Sequence, residues 1–178
     1  SEPLVKQNAA LALVHLAENA DNQVTIAKAG AIPVLVDLLR YRVPLSVSLY
    51  FCFFRDDVPQ VRQEAAGALC NLAENADNKV KIADAEAIPP LVGLLTDDLP
   101  QVRQRAAGAL LNLAANADNQ VTIAKAGAIP LLVALLRDPL PKVRENAAGA
   151  LWNLAANDEN KVTIAKAGAI PVLVDLLR

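Results

Sequence analysis

The sequence has little with which to do chemistry. Aromatic residues make up 3% of its 178 positions, histidine occurs once and cysteine twice, and the only serines are Ser1, Ser46 and Ser48. The lone His15 has no partner for a metal site or a nucleophilic triad, and no serine is placed beside it, so it reads as a polar surface residue. Cys52 and Cys70 make no disulfide framework. With no Asn-x-Ser/Thr acceptor, and no basic start leading into an apolar run over residues 1–15, the chain reads as intracellular, cytoplasmic or nuclear. A net charge of −2 and a pI near 5.4 leave no electrostatic footprint for nucleic acid. Glycine-rich phosphate loops and metal-ligand spacings are missing. Asp-Asn-Gln-Val and Asp-Glu-Asn-Lys lack the alternating oxygens and central glycine of a calcium loop. These absences point away from an enzyme and call for no cofactor or metal.

What the sequence has in quantity is small and aliphatic. Hydrophobic residues are 54% of it, so Ala, Leu, Val and Ile must fill the core, a helical composition. The length allows one domain with a sizeable buried interior. Its organising stretch is Val143-Arg-Glu-Asn-Ala-Ala-Gly-Ala-Leu-Trp-Asn-Leu-Ala155, with near-copies from Val102 and Val61 and a looser one from Val5. The three closest copies stand 41 residues apart. A fixed period in this range means a solenoid, in which each unit buries its apolar face only against its neighbours. Wound as a helix at about 100° per residue, the copy from Val61 puts Val61, Ala65, Leu69 and Leu72 on one apolar stripe. Gln63, Glu64, Gly67, Cys70, Asn71 and Glu74 gather opposite.

Two shorter helical signals separate successive copies. In the third unit Asp118-Asn119 caps a short helix over 120–125 that stops at Gly127. A second opens at Ala128-Ile129-Pro130, with proline in the first turn where its missing N–H costs nothing, and runs to Leu136. Asp138-Pro139-Leu140-Pro141 ends it and caps the long third helix. The pattern recurs over 19–40, 75–96 and 157–178. In the second unit Glu86 replaces the glycine of Gly30, Gly127 and Gly168, and Asp84 replaces Lys28, Lys125 and Lys166. Drift in a tolerant loop explains this, or an acidic patch kept for a partner.

The run Asn119 to Leu136, Asn-Gln-Val-Thr-Ile-Ala-Lys-Ala-Gly-Ala-Ile-Pro-Leu-Leu-Val-Ala-Leu-Leu, followed by Ala-Ala-Gly-Ala-Leu-x-Asn-Leu-Ala, resembles the armadillo-repeat family. The likeness covers essentially the whole chain except one insert. It implies an all-α fold, a right-handed solenoid of three helices per repeat whose third helices line a concave groove. In the family's phase the chain is a single solenoid: a leading third helix (1–20), repeats over 21–75, 76–116 and 117–157, and two trailing helices (158–178). The repeat is already running by Val5 and no polar capping repeat is visible. A piece of a longer array, with uncapped ends that can self-associate, is therefore expected.

Binding candidates lie on the stripe opposite the core. A side-chain amide offers donors and an acceptor, so Asn71, Asn112 and Asn153 can bond both polar groups of an extended backbone. The resemblance gives the asparagine at this point that role in peptide-binding relatives; the plainer reading is that each bonds neighbouring backbone and orders the solenoid. Beside them stand Gln63 and Glu64, Gln104 and Arg105, and Glu145 and Asn146. Leu111 and Trp152 directly precede their asparagines, and Trp152 is a natural hot spot unless it packs against a neighbouring third helix. Importin-α-type repeats carry tryptophan four residues before the asparagine; Gly67, Gly108, Gly149 and Leu11 stand there instead, which argues against an import receptor. Charges on the stripe are mixed, so neither a basic groove like that of β-catenin nor an acidic one emerges. The expected function is a non-catalytic scaffold that binds an extended peptide of a partner protein. The alternatives are the substrate-recognition arm of a U-box-type ubiquitin ligase, to which similar repeats are joined in plants, or a purely structural spacer.

Val5 and Val61 are 56 residues apart, so the first repeat carries 15 extra residues, Tyr41 to Arg55. All the tyrosines and phenylalanines lie here, as does every serine but Ser1. Its apolar part is too short to span a bilayer, which needs about 20 residues, so no membrane insertion is expected. A translated non-coding stretch, a tolerated loop and a docking element all fit this foreign composition. Deleting 41–55 restores the period and joins Arg40 to Asp56, as Arg137 joins Asp138 downstream. Circular dichroism should then show unchanged helicity, with better solubility and an equal or higher Tm; lost helicity would mean the insert packs into the core.

Overall fold

The computed structural model describes residues 2–40 and 57–178, and the insert at 41–55 lies outside the described residues. Among the described residues the chain forms twelve α-helices and no strand. The long α1 (Glu2–Leu16) is followed by α2 (Ala20–Lys28), α3 (Ala31–Leu39) and α4 (Asp57–Leu72). The short, medium and long order repeats as α5 (Ala76–Asp84), α6 (Ile88–Gly93, extended by a 3-10 turn at Leu94–Thr96) and α7 (Pro100–Leu113). It repeats again as α8 (Ala117–Lys125), α9 (Ala128–Leu135) and α10 (Pro141–Leu154), and ends on α11 (Asp158–Lys166) and α12 (Ala169–Leu176).

Each short helix starts at an asparagine. Asn116 accepts from the N–H groups of Asp118 and Asn119 at 3.0 and 3.1 Å, and Asn19 does the same for Asp21 and Asn22. Asn75 and Asn157 accept from Asn78 and Asn160. The cap expected at Asp118-Asn119 therefore sits earlier: Asn116 takes the orphan N–H groups, Asp118 lies in the first turn, and Asn119 turns inward and is buried.

Short and medium helices join through a left-handed residue. Gly30, Gly127 and Gly168 have φ of 79°, 81° and 80°, and a Cβ at any of them would meet nothing within 4 Å. Conformation rather than space demands glycine there. Glu86 adopts the same turn at φ 58° with a side chain attached.

The long helices stack in one layer, α1 on α4, α4 on α7 and α7 on α10, with short and medium helices forming the second layer. An inner long helix has neighbours on both sides, so Ala65, Ala66, Ala68, Leu69 and Leu72 of α4 are all fully buried. Alanine keeps those backbones close. Neighbouring repeats are also clamped by ion pairs. Arg62 Nη2 lies 2.8 Å from Asp97 Oδ2, and Arg103 lies 2.7 Å from Asp138 Oδ2. The other oxygens of Asp97 and Asp138 accept from the N–H groups of Leu99 and Leu140. These aspartates thus do more than bond the start of a helix, for each also bridges to the repeat before.

A side chain held at positive φ costs about 1 kcal/mol. Glu86→Gly should recover roughly that amount and raise Tm by about 2–4 °C in a chain of this size. A thermal melt with no rise, or a fall, would show that Glu86 is held by something other than backbone necessity.

Candidate functional site

A helix leaves its last carbonyls without intrahelical donors. At the C-terminal end of α1, α4, α7 and α10 the chain tightens. Glu18 N–H bonds His15 O, Glu74 bonds Asn71, Ala115 bonds Asn112 and Ala156 bonds Asn153. This tightening strands the carbonyls of Val14, Cys70, Leu111 and Trp152. The next long helix serves the first three. Asn71 Nδ2 donates to Val14 O at 3.0 Å, Asn112 Nδ2 to Cys70 O at 2.9 Å, and Asn153 Nδ2 to Leu111 O at 2.9 Å. Trp152 O has no such donor among the described residues.

The three asparagines are half-buried and spend one amide hydrogen on this cap. Asn71 and Asn153 each keep a second amide hydrogen, whereas Asn112 Nδ2 also donates to Cys70 Sγ at 3.7 Å, and none of the three Oδ1 atoms accepts a hydrogen bond among the described residues. An extended chain laid across the stack would meet these groups once per repeat.

Around the ladder the stripe is more crowded than a wheel drawing suggests. A Cβ at Gly108 would stand 3.1 Å from both Cys70 Sγ and Asn146 Nδ2, and one at Gly149 would stand 3.0 Å from Leu111 Cδ1. One at Gly67 would meet Val14 Cγ2 at 3.3 Å and Arg105 at 3.4 Å. Val14, Cys70 and Leu111, which precede His15, Asn71 and Asn112, thus rest on the glycine of the next long helix. Glycine here admits a neighbour, and no slot opens to solvent at these positions.

The remaining stripe candidates divide by exposure. Leu111 is half-buried over Gly149, and Arg105 is half-buried along Gly67. Asn146 is half-buried and donates to Gln104 O at 3.0 Å. Glu64 is buried and accepts from Gln63 Nε2 at 3.0 Å. Gln63 and Gln104 are half-buried; Glu145 is exposed and paired with Lys142 at 2.6 Å. Trp152 is 77% exposed. Burial pushes the Cys70 thiol up to about 11, partly offset by the nearby Arg105 charge, so it stays protonated and inert at neutral pH.

The short helices supply a second set of caps that the stripe of the long helices does not reveal. Asn119 Nδ2 donates to Leu113 O and Lys79 O, and Asn160 Nδ2 to Leu154 O and Gln120 O. Gln23 and Gln120 donate to Ala17 O and Ala114 O. The signal for them in the sequence is recurrence: Asp-Asn-Gln opens the first and third units, 97 residues apart with the insert counted.

The model of the armadillo/β-catenin-like repeat matches residues 116–156, and that of a HEAT-like repeat matches 59–113. An engineered protein of known crystal structure is 35% identical over 96% of this chain and 65% of its own, with a TM-score of 0.83. A designed armadillo repeat protein in complex with the peptide (KR)4 is 32% identical over 99% of this chain and 69% of its own, TM-score 0.82. The chain belongs to the armadillo-repeat family. Computationally designed armadillo repeat proteins for modular peptide recognition are similar at 34% identity over 99% of this chain and 69% of theirs, TM-score 0.82. The chain thus spans 65% of the first engineered relative's length, and no curated protein sequence matches it. Armadillo geometry makes the long helices the third helices of a right-handed superhelix. No described helix is long and apolar enough to cross a membrane.

If the asparagines are caps, removing one has a structural cost. Asn112→Ala strands Cys70 O in a half-buried site, and an unmade bond of this kind costs about 1–2 kcal/mol. The expected drop in Tm is about 2–8 °C, with a similar drop for Asn153→Ala. An unchanged melt would show the amide bond contributes nothing.

Proposed function

We propose that the protein is a non-catalytic scaffold that holds an extended segment of a partner protein against its third helices. The observation that supports this most directly is the asparagine ladder, which repeats in register on α4, α7 and α10 with an acceptor uncommitted on each amide and a donor uncommitted on Asn71 and Asn153. Neighbouring helices pack about 10 Å apart and an extended chain advances about 3.3 Å per residue. One asparagine therefore meets every third peptide residue. Trp152, exposed beside Asn153, takes an apolar side chain between those backbone contacts. The designed relatives, one of them in complex with (KR)4, support the same use of the surface.

The glycines shape what can bind. With Cys70, Asn146 and Leu111 seated on them, the groove floor has no tryptophan-walled slots for long cationic side chains. Specificity rests on Trp152 and on the mixed charges of Arg105 and Glu145. A purely structural reading has one observation in its favour, the commitment of each asparagine to a helix cap.

Trp152 separates these readings because it can be changed without disturbing the caps. Peptides selected from a displayed library of random ten-residue segments are titrated against the wild-type chain and Trp152→Ala. A hot spot is worth on the order of 2 kcal/mol, so affinity should fall about thirtyfold while Tm moves by no more than about 1 °C. A library yielding no binders, or binders indifferent to Trp152, favours the spacer. A loss of about 3 kcal/mol in stability on truncation would mean that Trp152 is packing.

A further inference from the structure

Arg62, Arg103, Arg105 and Arg144 are half-buried on the third helices, and all but one are committed. Arg62 pairs with Asp97, and Arg103 pairs with Asp138 and donates to Asp97 O and Asp98 O. Arg144 donates to Asp138 O and Pro139 O. Arg105 makes no hydrogen bond or ion pair among the described residues. A half-buried guanidinium has given up part of its water, and with donors only it needs an acceptor in exchange.

The stem of Arg105 is nevertheless held in place. Its Cδ and Nε each lie 3.4 Å from where a Cβ on Gly67 would stand, so the side chain runs from α7 across to α4. Gly67 is one turn before Asn71, and the Arg105 charge draws the Cys70 thiol down against the effect of burial. The guanidinium therefore lies beside the α4 rung of the asparagine ladder. Carboxylates on the same stripe do not reach it. Glu64 accepts from Gln63, Glu74 accepts from Gln23 Nε2 at 3.2 Å, and Glu145 pairs with Lys142. Glu64, Arg105 and Asn146 occupy one register on α4, α7 and α10. Asn146 uses it to donate to Gln104 O, and Arg105 makes no equivalent bond to Gln63 O. The head of the arginine is thus not spent on joining repeats.

We propose that Arg105 is a carboxylate subsite of the groove, and that the bound segment sets one Asp or Glu side chain between the residues that meet Asn71 and Asn112. This rests on the reading of the groove as a peptide site and names the partner's chemistry at one position. About three residues of an extended chain lie between successive rungs, and alternate side chains face the helices. A guanidinium takes a carboxylate through two parallel N–H···O bonds, a pairing specific in geometry as well as charge. The restriction to one acid follows from the neighbours. Glu64, Glu74 and Glu145 outnumber Arg105 on the stripe, so an acidic run is repelled, while a single carboxylate in contact with the guanidinium is held.

Displayed random ten-residue segments are selected separately on the wild-type chain and on Arg105→Gln. Wild-type binders should share one Asp or Glu at a fixed place, and the Arg105→Gln selection should lose that preference. Replacing that acid by its amide in a selected peptide should weaken binding to the wild-type chain about tenfold. The same replacement should leave binding to Arg105→Gln unchanged, and Arg105→Lys should fall between, since an ammonium keeps the charge and loses the fork. Because the acid is exchanged on the peptide, its effect on the wild-type chain is read whether or not Arg105→Gln loses packing over Gly67. Binders with no shared acid overturn the subsite and leave the peptide groove standing. An acid worth as much against Arg105→Gln as against the wild-type chain overturns it as well. A library that yields no binder removes the groove reading and the subsite together.

Discussion

The orphan carbonyls at the end of each third helix are the constraint on which the rest depends. A helix that ends inside a protein must find donors for its last carbonyls, and here the donors come from the following repeat. Asn71, Asn112 and Asn153 reach back across the layer, while Asn119, Asn160, Gln23 and Gln120 reach back from the short helices. A slip of one residue between repeats would strand several carbonyls at once. Hydrophobic stacking alone is tolerant of such slips; the amides make it specific. The Arg62–Asp97 and Arg103–Asp138 pairs fix the opposite end of the same helices, since each arginine reaches an aspartate 35 residues on.

This linkage explains why the third helix is so uniform. Between the two pinned ends the helices must approach closely, and alanine and glycine allow it. Each glycine takes the side chain that precedes the asparagine of the helix before, or His15 in its place on α1, so Val14, Cys70 and Leu111 seat on Gly67, Gly108 and Gly149. The seated residue and the capping residue thus alternate across each junction, one filling volume and the other satisfying a carbonyl. A glycine ladder that looks like a missing tryptophan ladder is in fact a packing device.

Much of this is legible in the amino-acid sequence. The 41-residue period, the left-handed glycines and the apolar stripe of Val61, Ala65, Leu69 and Leu72 follow from local rules, and each stands where those rules put it. What is not legible depends on a second helix. A wheel drawn for one helix sets Glu64 and Gly67 on an outward stripe, yet both are buried because neighbours close in from two sides. Local rules set the cap at Asp118-Asn119 rather than at Asn116 because all three residues are of types that cap well, and only the inward turn of Asn119 decides among them. The Arg–Asp clamps join different repeats, so no single-helix argument reaches them. Trp152 stands open between hot spot and packing for the same reason: the side chains that precede it in register are covered only by the next helix.

Trp152 is where the stripe is least filled. Of the large apolar side chains on it this one alone is exposed among the described residues, while Cys70 and Leu111 in the same register rest on Gly108 and Gly149. Fixing a side chain costs about 0.5–1.5 kcal/mol of entropy on binding, so a partner that orders the indole spends part of its contact energy on doing so. Cys70 and Leu111 are already ordered by the helix that covers them, and the same register therefore serves packing in the inner repeats and leaves a contact surface at Trp152.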